Sequence, residues 1–196
     1  MVHICDSWQG FVQEVVAYVG HGNYWYCRIE YPEKKRHAFP EIDKKLIRKY
    51  AAGLSKFQRA RRKREGKATF SFLRWDRCAL IFRNKGELPE DLHADDPDVF
   101  HDIRETPLRI EVTEDISLIV VHHGKVRVRM ASETYRGFKD CIMNAANARN
   151  GALMAWEYDR ANGLPSYEAI IDQRRRLRDY TIRLARRHQI PMDREK

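Results

Sequence analysis

The sequence predicts an α+β protein with mostly antiparallel strands in hairpins and with C-terminal helices packed on the sheet. Short runs rich in Val, Tyr, Phe and Trp are separated by turn residues, which is typical of hairpins. Capped segments with apolar residues at helical spacing occupy the last third of the chain. Hydrophobic residues make up 43% of the 196 residues, so the chain can form a substantial core.

The first elements are expected to be two strands, residues 11–19 and 24–31, because both are rich in Val, Tyr or Trp. Residues 20–23 (GHGN) supply the glycines and Asn that a hairpin turn requires. The segment that follows, up to Pro40, is expected to be a loop.

Two short helices come next. Residues 41–50 have apolar side chains at helical spacing. Ser55 suits the N-cap of a second helix, 55–65, and Gly66 suits its end. One continuous helix through Gly53 is the alternative, at a cost of about 1 kcal/mol. Two helices separated around Gly53 are favoured.

Five further strands are expected from alternating apolar runs, at 68–75, 78–84, 108–112, 116–122 and 125–130. Between the second and third of these lies an acidic, proline-containing loop. Three helices complete the chain, one from Ser132 to about residue 148, one after Gly151, and one from Pro165 to about His188.

The charge is unevenly distributed along the chain, whose net charge is +9. Residues 40–86 contain fifteen cations and four acids, net +11, whereas residues 87–115 contain two cations and eleven acids, net −9. A basic block of this density predicts a polyanionic partner.

Cellular context is predicted from what the sequence omits. Its four cysteines form no C-x-x-C pair and are expected to be reduced thiols. The first residues lack a basic region followed by an apolar stretch, and no apolar run approaches the roughly 20 residues of a membrane span. We therefore expect a cytoplasmic protein with no membrane partner.

The helix 55–65 is the main candidate for nucleic-acid binding. Phe57 and Ala60 are expected to dock on the core, while Arg61 flanks them and Gln58 can hydrogen-bond a phosphate or base edge. The alternative is a solvated basic surface without a ligand. Four cations fall within an arc of about 120° on the opposite side: Lys56, Arg59, Arg62 and Lys63.

The order of elements from 41 to 86, two helices and then a hairpin, resembles a winged helix-turn-helix. The resemblance concerns architecture alone, covers about 45 residues, and supplies no sequence signature and no specific contact residues.

The strand 125–130 is a second candidate surface. Alternation places Lys125, Arg127 and Arg129 on one sheet face, where they would extend the basic surface. The alternative is an outer face protected by charge against aggregation. Some aromatic residues share strand faces with arginines and would either stack on bases or belong to the core: Tyr24, Tyr26, Phe70 and Phe72.

A divalent metal site is the weaker alternative. The acidic segment contains carboxylates and imidazoles that could hold a metal for phosphodiester cleavage. No H-E-x-x-H pair, Walker A motif or G-x-S-x-G motif is present in the sequence, so binding without catalysis or cofactor is favoured over an enzyme. The metal candidates are His93, Asp95, Asp96 and His101.

Taken together, the sequence predicts a single α+β domain over residues 1–196. Within it, 41–86 form a basic helix-turn-helix plus hairpin, 87–106 an acidic loop, and 107–190 a sheet with C-terminal helices. The predicted partner is DNA or RNA, as in a nucleoprotein complex such as that of a mobile element. The alternatives are a metal-dependent nuclease and a charge-paired subunit of a protein complex or homo-oligomer.

Overall fold

The computed structural model describes residues 1–89 and 100–191. The residues group into two compact units. The first unit comprises Met1–Pro107 with Val121–Val126, and the second comprises Leu108–Val120 with Arg127–Lys196. The expected α+β class is confirmed, since each unit combines a sheet with helices.

The first unit is built on a five-stranded sheet with the strand order β1-β3-β4-β2-β5. Strand β1 pairs with β3 in parallel and the other pairs are antiparallel. Its strands are β1 (Val2–Cys5), β2 (Trp25–Glu30), β3 (Phe70–Trp75), β4 (Cys78–Arg83) and β5 (His101–Asp102). Its helices are α1 (Trp8–Gly20), a 3-10 helix (Glu33–Ala38), α2 (Phe39–Lys49) and α3 (Lys56–Arg64).

The prediction of a strand at 11–19 is wrong, because these residues belong to α1. Ser7 caps this helix by accepting a hydrogen bond from the backbone N–H of Gly10. Residues 20–23 therefore join a helix to β2 rather than closing a hairpin. The buried side chains follow helical spacing, which a reading by composition overlooks: Phe11, Val12, Val15, Tyr18 and Val19.

The predicted helix–helix–hairpin order is present as α2, α3, β3 and β4. Both strands of this hairpin lie inside the five-stranded sheet, between β1 and β2. Pro40, expected to close a loop, instead lies in the first turn of α2, where a missing N–H costs no helical hydrogen bond.

A buried ion pair joins α2 to the sheet. The Nε of Arg74 on β3 lies 3.0 Å from both carboxylate oxygens of Asp43 on α2. The hydroxyl of Tyr31 donates to the same carboxylate over 2.8 Å. Burial of a charge is unfavourable, and the pairing of Arg74 with Asp43 offsets that cost.

The second unit contains three helices and most of a three-stranded sheet of order β6-β7-β8. The helices α4 and α6 are joined to the ends of this sheet. Thr134 accepts a hydrogen bond from the N–H of Ser117, and the Gln173 amide bonds both backbone groups of Met130. The elements are β6 (Leu108–Glu111), β7 (Ser117–His123), β8 (Lys125–Met130), α4 (Ser132–Asn147), α5 (Gly151–Asn162) and α6 (Glu168–Arg187).

The predicted helix bounds in this unit are close to those observed, but the predicted caps differ. Ala131, not Ser132, is the N-cap of α4, and α6 begins at Glu168 rather than at Pro165. All four cysteines are free thiols. In the described ranges, no helix has the length and apolar character needed to cross a membrane.

We predict that Asp43→Asn lowers the free energy of unfolding by about 3–5 kcal/mol, because it leaves the buried Arg74 guanidinium without a counter-charge. Urea denaturation followed by circular dichroism measures this loss. The control is Glu41→Ala, which removes the solvent-exposed ion pair with Lys44 and should cost less than about 1 kcal/mol. Equal losses in the two variants would contradict a structural role for the buried pair.

Candidate nucleic-acid interface

Local interactions define both ends of α3. The hydroxyl of Ser55 accepts from the N–H of Gln58 over 3.3 Å, and the amide oxygen of Gln58 accepts from the N–H of Ser55 over 2.9 Å. This capping box confirms the predicted helix start. It also commits the Gln58 oxygen, predicted to meet a phosphate or base, to the helix cap. Gly66 follows the helix with φ +73°, a conformation that favours glycine.

The orientation of α3 differs from the prediction, because Phe57 does not dock on the core. Phe57, expected in the core, is 86% exposed, and Ala60 is also exposed. No described residue of α3 is fully buried. The helix therefore presents its cationic arc, not its aromatic residue, toward the rest of the first unit.

A cleft of about 520 Å³ separates α3 from α1, and β3 forms part of its lining. From α3, the cleft is lined by Lys56, Arg59, Ala60 and Lys63. The opposite wall includes Glu14 and Tyr18 of α1 and His21, which follows α1, and β3 contributes Ser71. Three of the four predicted binding cations thus line one cavity. Arg62 is half-buried and is not among the lining residues.

The cations in this cleft have few acidic neighbours. In the part of the chain that the structure describes, no ion pair involves Lys56, Arg59, Arg62 or Lys63. Arg61 differs, because its Nε lies 2.9 Å from a carboxylate oxygen of Glu65, and this hydrogen bond is the main cause that lowers the pKa of Glu65. Glu14, which also lines the cleft, has a carboxylate oxygen 2.9 Å from Nδ1 of His3.

Two hydroxyl groups beside the cleft make no hydrogen bond to a described residue. The hydroxyl of Tyr18 is buried and has no hydrogen-bond partner among the described residues. Burial, and then the charge of Glu14, raises the pKa of Tyr18, while the charge of Arg59 opposes this rise. Ser71 is 7% exposed, and within residues 1–89 and 100–191 no hydrogen bond to its hydroxyl is found. Neither residue could be identified as a candidate from the sequence, since recognising Tyr18 requires reading α1 as a helix.

The strand predicted at 125–130 is present as β8 with the expected alternation. Lys125, Arg127 and Arg129 are exposed, whereas Val128 and Met130 are buried. Lys125 belongs to the first unit, and Arg127 and Arg129 belong to the second.

The proposed stacking role for strand aromatics is not supported by their positions. Tyr26, Phe70 and Phe72 are buried in the core of the first unit. Tyr24 is covered, because the guanidinium of Arg104 lies 4.7 Å from its ring centroid and the ring of His122 lies at the same distance. The exposed aromatic ring near the cations is that of Phe57.

Of the metal candidates, His93, Asp95 and Asp96 lie outside the described residues. His101 is exposed on β5 and its ring lies 5.6 Å from that of Tyr26. Over the described ranges, His, Cys, Asp and Glu side chains do not form any group of three or more that could hold a metal ion.

We predict that Phe57→Ala changes the free energy of unfolding by less than about 0.5 kcal/mol, because the ring is largely exposed. The matched variant Phe72→Ala, at a fully buried position, should cost about 3–5 kcal/mol. Chemical denaturation compares the two. A large loss of stability in Phe57→Ala would instead indicate that the ring docks on the core, as the sequence suggested.

Comparison with protein-family models, with curated proteins and with solved structures finds no match to this chain.

Proposed function

We propose that this chain binds DNA or RNA by contacting its phosphates with the cations of α3. The observation that supports the proposal best is that Lys56, Arg59 and Lys63 line one cleft and make no ion pair with any described residue. Cations within a few ångströms of one another repel unless an anion lies between them. A phosphate backbone supplies such anions at regular spacing.

The helix dipole stabilises the cations at the C-terminal end of α3. The last turn of α3 contains four cations, Arg61 to Arg64, which is the end where a positive charge is favourable. Arg61 pairs with Glu65, whereas Arg62, Lys63 and Arg64 form no ion pair with a described residue and remain available to a ligand. The exposed ring of Phe57 lies on the same helix, and rings among cations are typical of surfaces on which unpaired bases stack.

The exposed cations of β8 are proposed to make phosphate contacts of their own. Arg127 and Arg129 are exposed on one face of β8. Such contacts to phosphates position a strand without reading its sequence. The proposed activity is therefore binding with weak sequence preference, as in a nucleoprotein complex.

We predict that Arg59→Glu combined with Lys63→Glu weakens binding by about 100-fold or more, because two phosphate contacts become repulsive. The slope of log affinity against log salt should fall in magnitude by about 2. Fluorescence anisotropy with labelled single-stranded and duplex probes, in a salt series, measures both quantities.

The matched control is Arg186→Glu with Arg187→Glu, which changes the net charge equally at two exposed positions of α6. We expect its affinity to stay within about threefold of the unmodified chain. Equal weakening in both variants would mean that net charge, not α3, governs binding.

The same samples separate the two other functions suggested by the sequence. Cleavage of the probe with Mg²⁺ or Mn²⁺ that stops with EDTA would indicate a metal-dependent nuclease. Self-association that dissociates at high salt, without affinity for any probe, would indicate a charge-paired subunit. Retarded but intact probe is the result that the proposal predicts.

A further inference from the structure

We propose that the cleft between α1 and α3 binds a phosphate monoester carried by a nucleotide, either at the end of a strand or as a free nucleotide. This inference rests on the proposed function and names the group that the same cations recognise. Three features of the lining residues support it: the shared face of the cations, the net charge of the cleft and the hydroxyl donors beside it.

The three cations of the cleft lie on one face of α3. Lys56, Arg59 and Lys63 are separated by three and four residues, so they share one face of α3 and point to the same side of the helix. That face lines a cleft of about 520 Å³, which lies in the range of sites for small ligands. An extended backbone offers its phosphates one after another along a surface, whereas a concave site of this size encloses a single group.

The net charge of the cleft favours a phosphate monoester over an internal phosphodiester. An internal phosphodiester bears one negative charge, whereas a phosphate monoester bears nearly two at neutral pH. Three cations facing one carboxylate, that of Glu14, suit the more highly charged group. The carboxylate of Glu14 lies beside the imidazole of His3 and so has a donor available on that side.

Two hydroxyl donors beside the cleft, those of Tyr18 and Ser71, are available to a ligand. The Tyr18 hydroxyl is buried and lacks a hydrogen-bond partner among the described residues. The hydroxyl of Ser71, which borders the cleft, also makes no hydrogen bond to a described residue. Buried polar groups in native proteins nearly always have a partner. A phosphate has several oxygens that accept hydrogen bonds, and both donors belong to residues that line the cleft.

Other polar residues of the lining are already engaged. Thr69 donates to the Asn84 side chain over 3.1 Å, and Asn23 donates to the backbone oxygen of Tyr18 over 2.9 Å. Their bonds hold the lining in place, which leaves Tyr18 and Ser71 as the neutral donors for a ligand.

The experiment compares one short oligonucleotide in three forms, with a 5′-phosphate, with a 3′-phosphate, or with hydroxyls at both ends. We expect one phosphorylated form to bind at least about tenfold more tightly than the hydroxyl form. A nucleoside monophosphate that competes, where the nucleoside does not, assigns the site to free nucleotides as well. A preference without such competition assigns it to strand ends.

The diagnostic variant is Tyr18→Phe combined with Ser71→Ala, which removes both hydroxyls and no charge. It should abolish the preference for the phosphorylated end. The control is Tyr26→Phe, whose hydroxyl already donates to backbone oxygens of Thr106 and Pro107. It should keep the preference.

The outcomes separate the two proposals. Equal affinity for all three forms overturns the monoester site and leaves nucleic-acid binding intact. Absence of binding to every form, and to the nucleoside monophosphate, overturns both. Retention of the preference in a folded Tyr18→Phe, Ser71→Ala variant, with unfolding curves matching the unmodified chain, also overturns the monoester site.

Discussion

The position of α3 is determined by its two ends rather than by its face. Before the helix, Ala51 reverses the chain with a left-handed φ of 48°, and Ala52 is fully buried. After it, the backbone oxygen of Gly66 accepts from Glu87, whose own oxygen accepts from Ala68. A helix held in this way needs no apolar stripe, so its residues can all be polar, cationic or exposed. Each proposal about binding depends on this arrangement.

Holding the helix by its ends makes an otherwise unfavourable surface stable. Like charges three and four residues apart destabilise a helix by a few tenths of a kcal/mol per pair. The capping box, the cations in the last turn and the anchored ends offset this repulsion. The surface that results has an excess of positive charge on the side of α1 and β3. An anionic ligand in the cleft would relieve the repulsion, which couples ligand binding to the stability of α3.

Features encoded locally could be predicted from the sequence. Ser55 and Gly66 delimit α3 through their own backbone preferences, and the alternation in β8 is visible in six consecutive residues. Features that depend on distant contacts could not be predicted in the same way. The Val-rich segment of α1 resembles a strand by composition, because a helix packed on a sheet is also apolar. The outward orientation of Phe57 follows from the segments that hold the chain before and after the helix. The angular positions of residues on α3 alone carry no information about those segments. Tyr18 and Ser71 lie 53 residues apart, and the fold alone brings both to one cleft.

The most direct measurement is an amide ¹H–¹⁵N spectrum of the labelled chain, recorded while a 5′- or 3′-phosphorylated oligonucleotide is added. We expect the largest shift changes at the amides of residues 55–66, with further changes around Tyr18 on α1 and Ser71 on β3. Changes concentrated elsewhere, for example on α6, or an unchanged spectrum at saturating concentrations of DNA and of RNA, would contradict the claim that the α1–α3 cleft is the binding site.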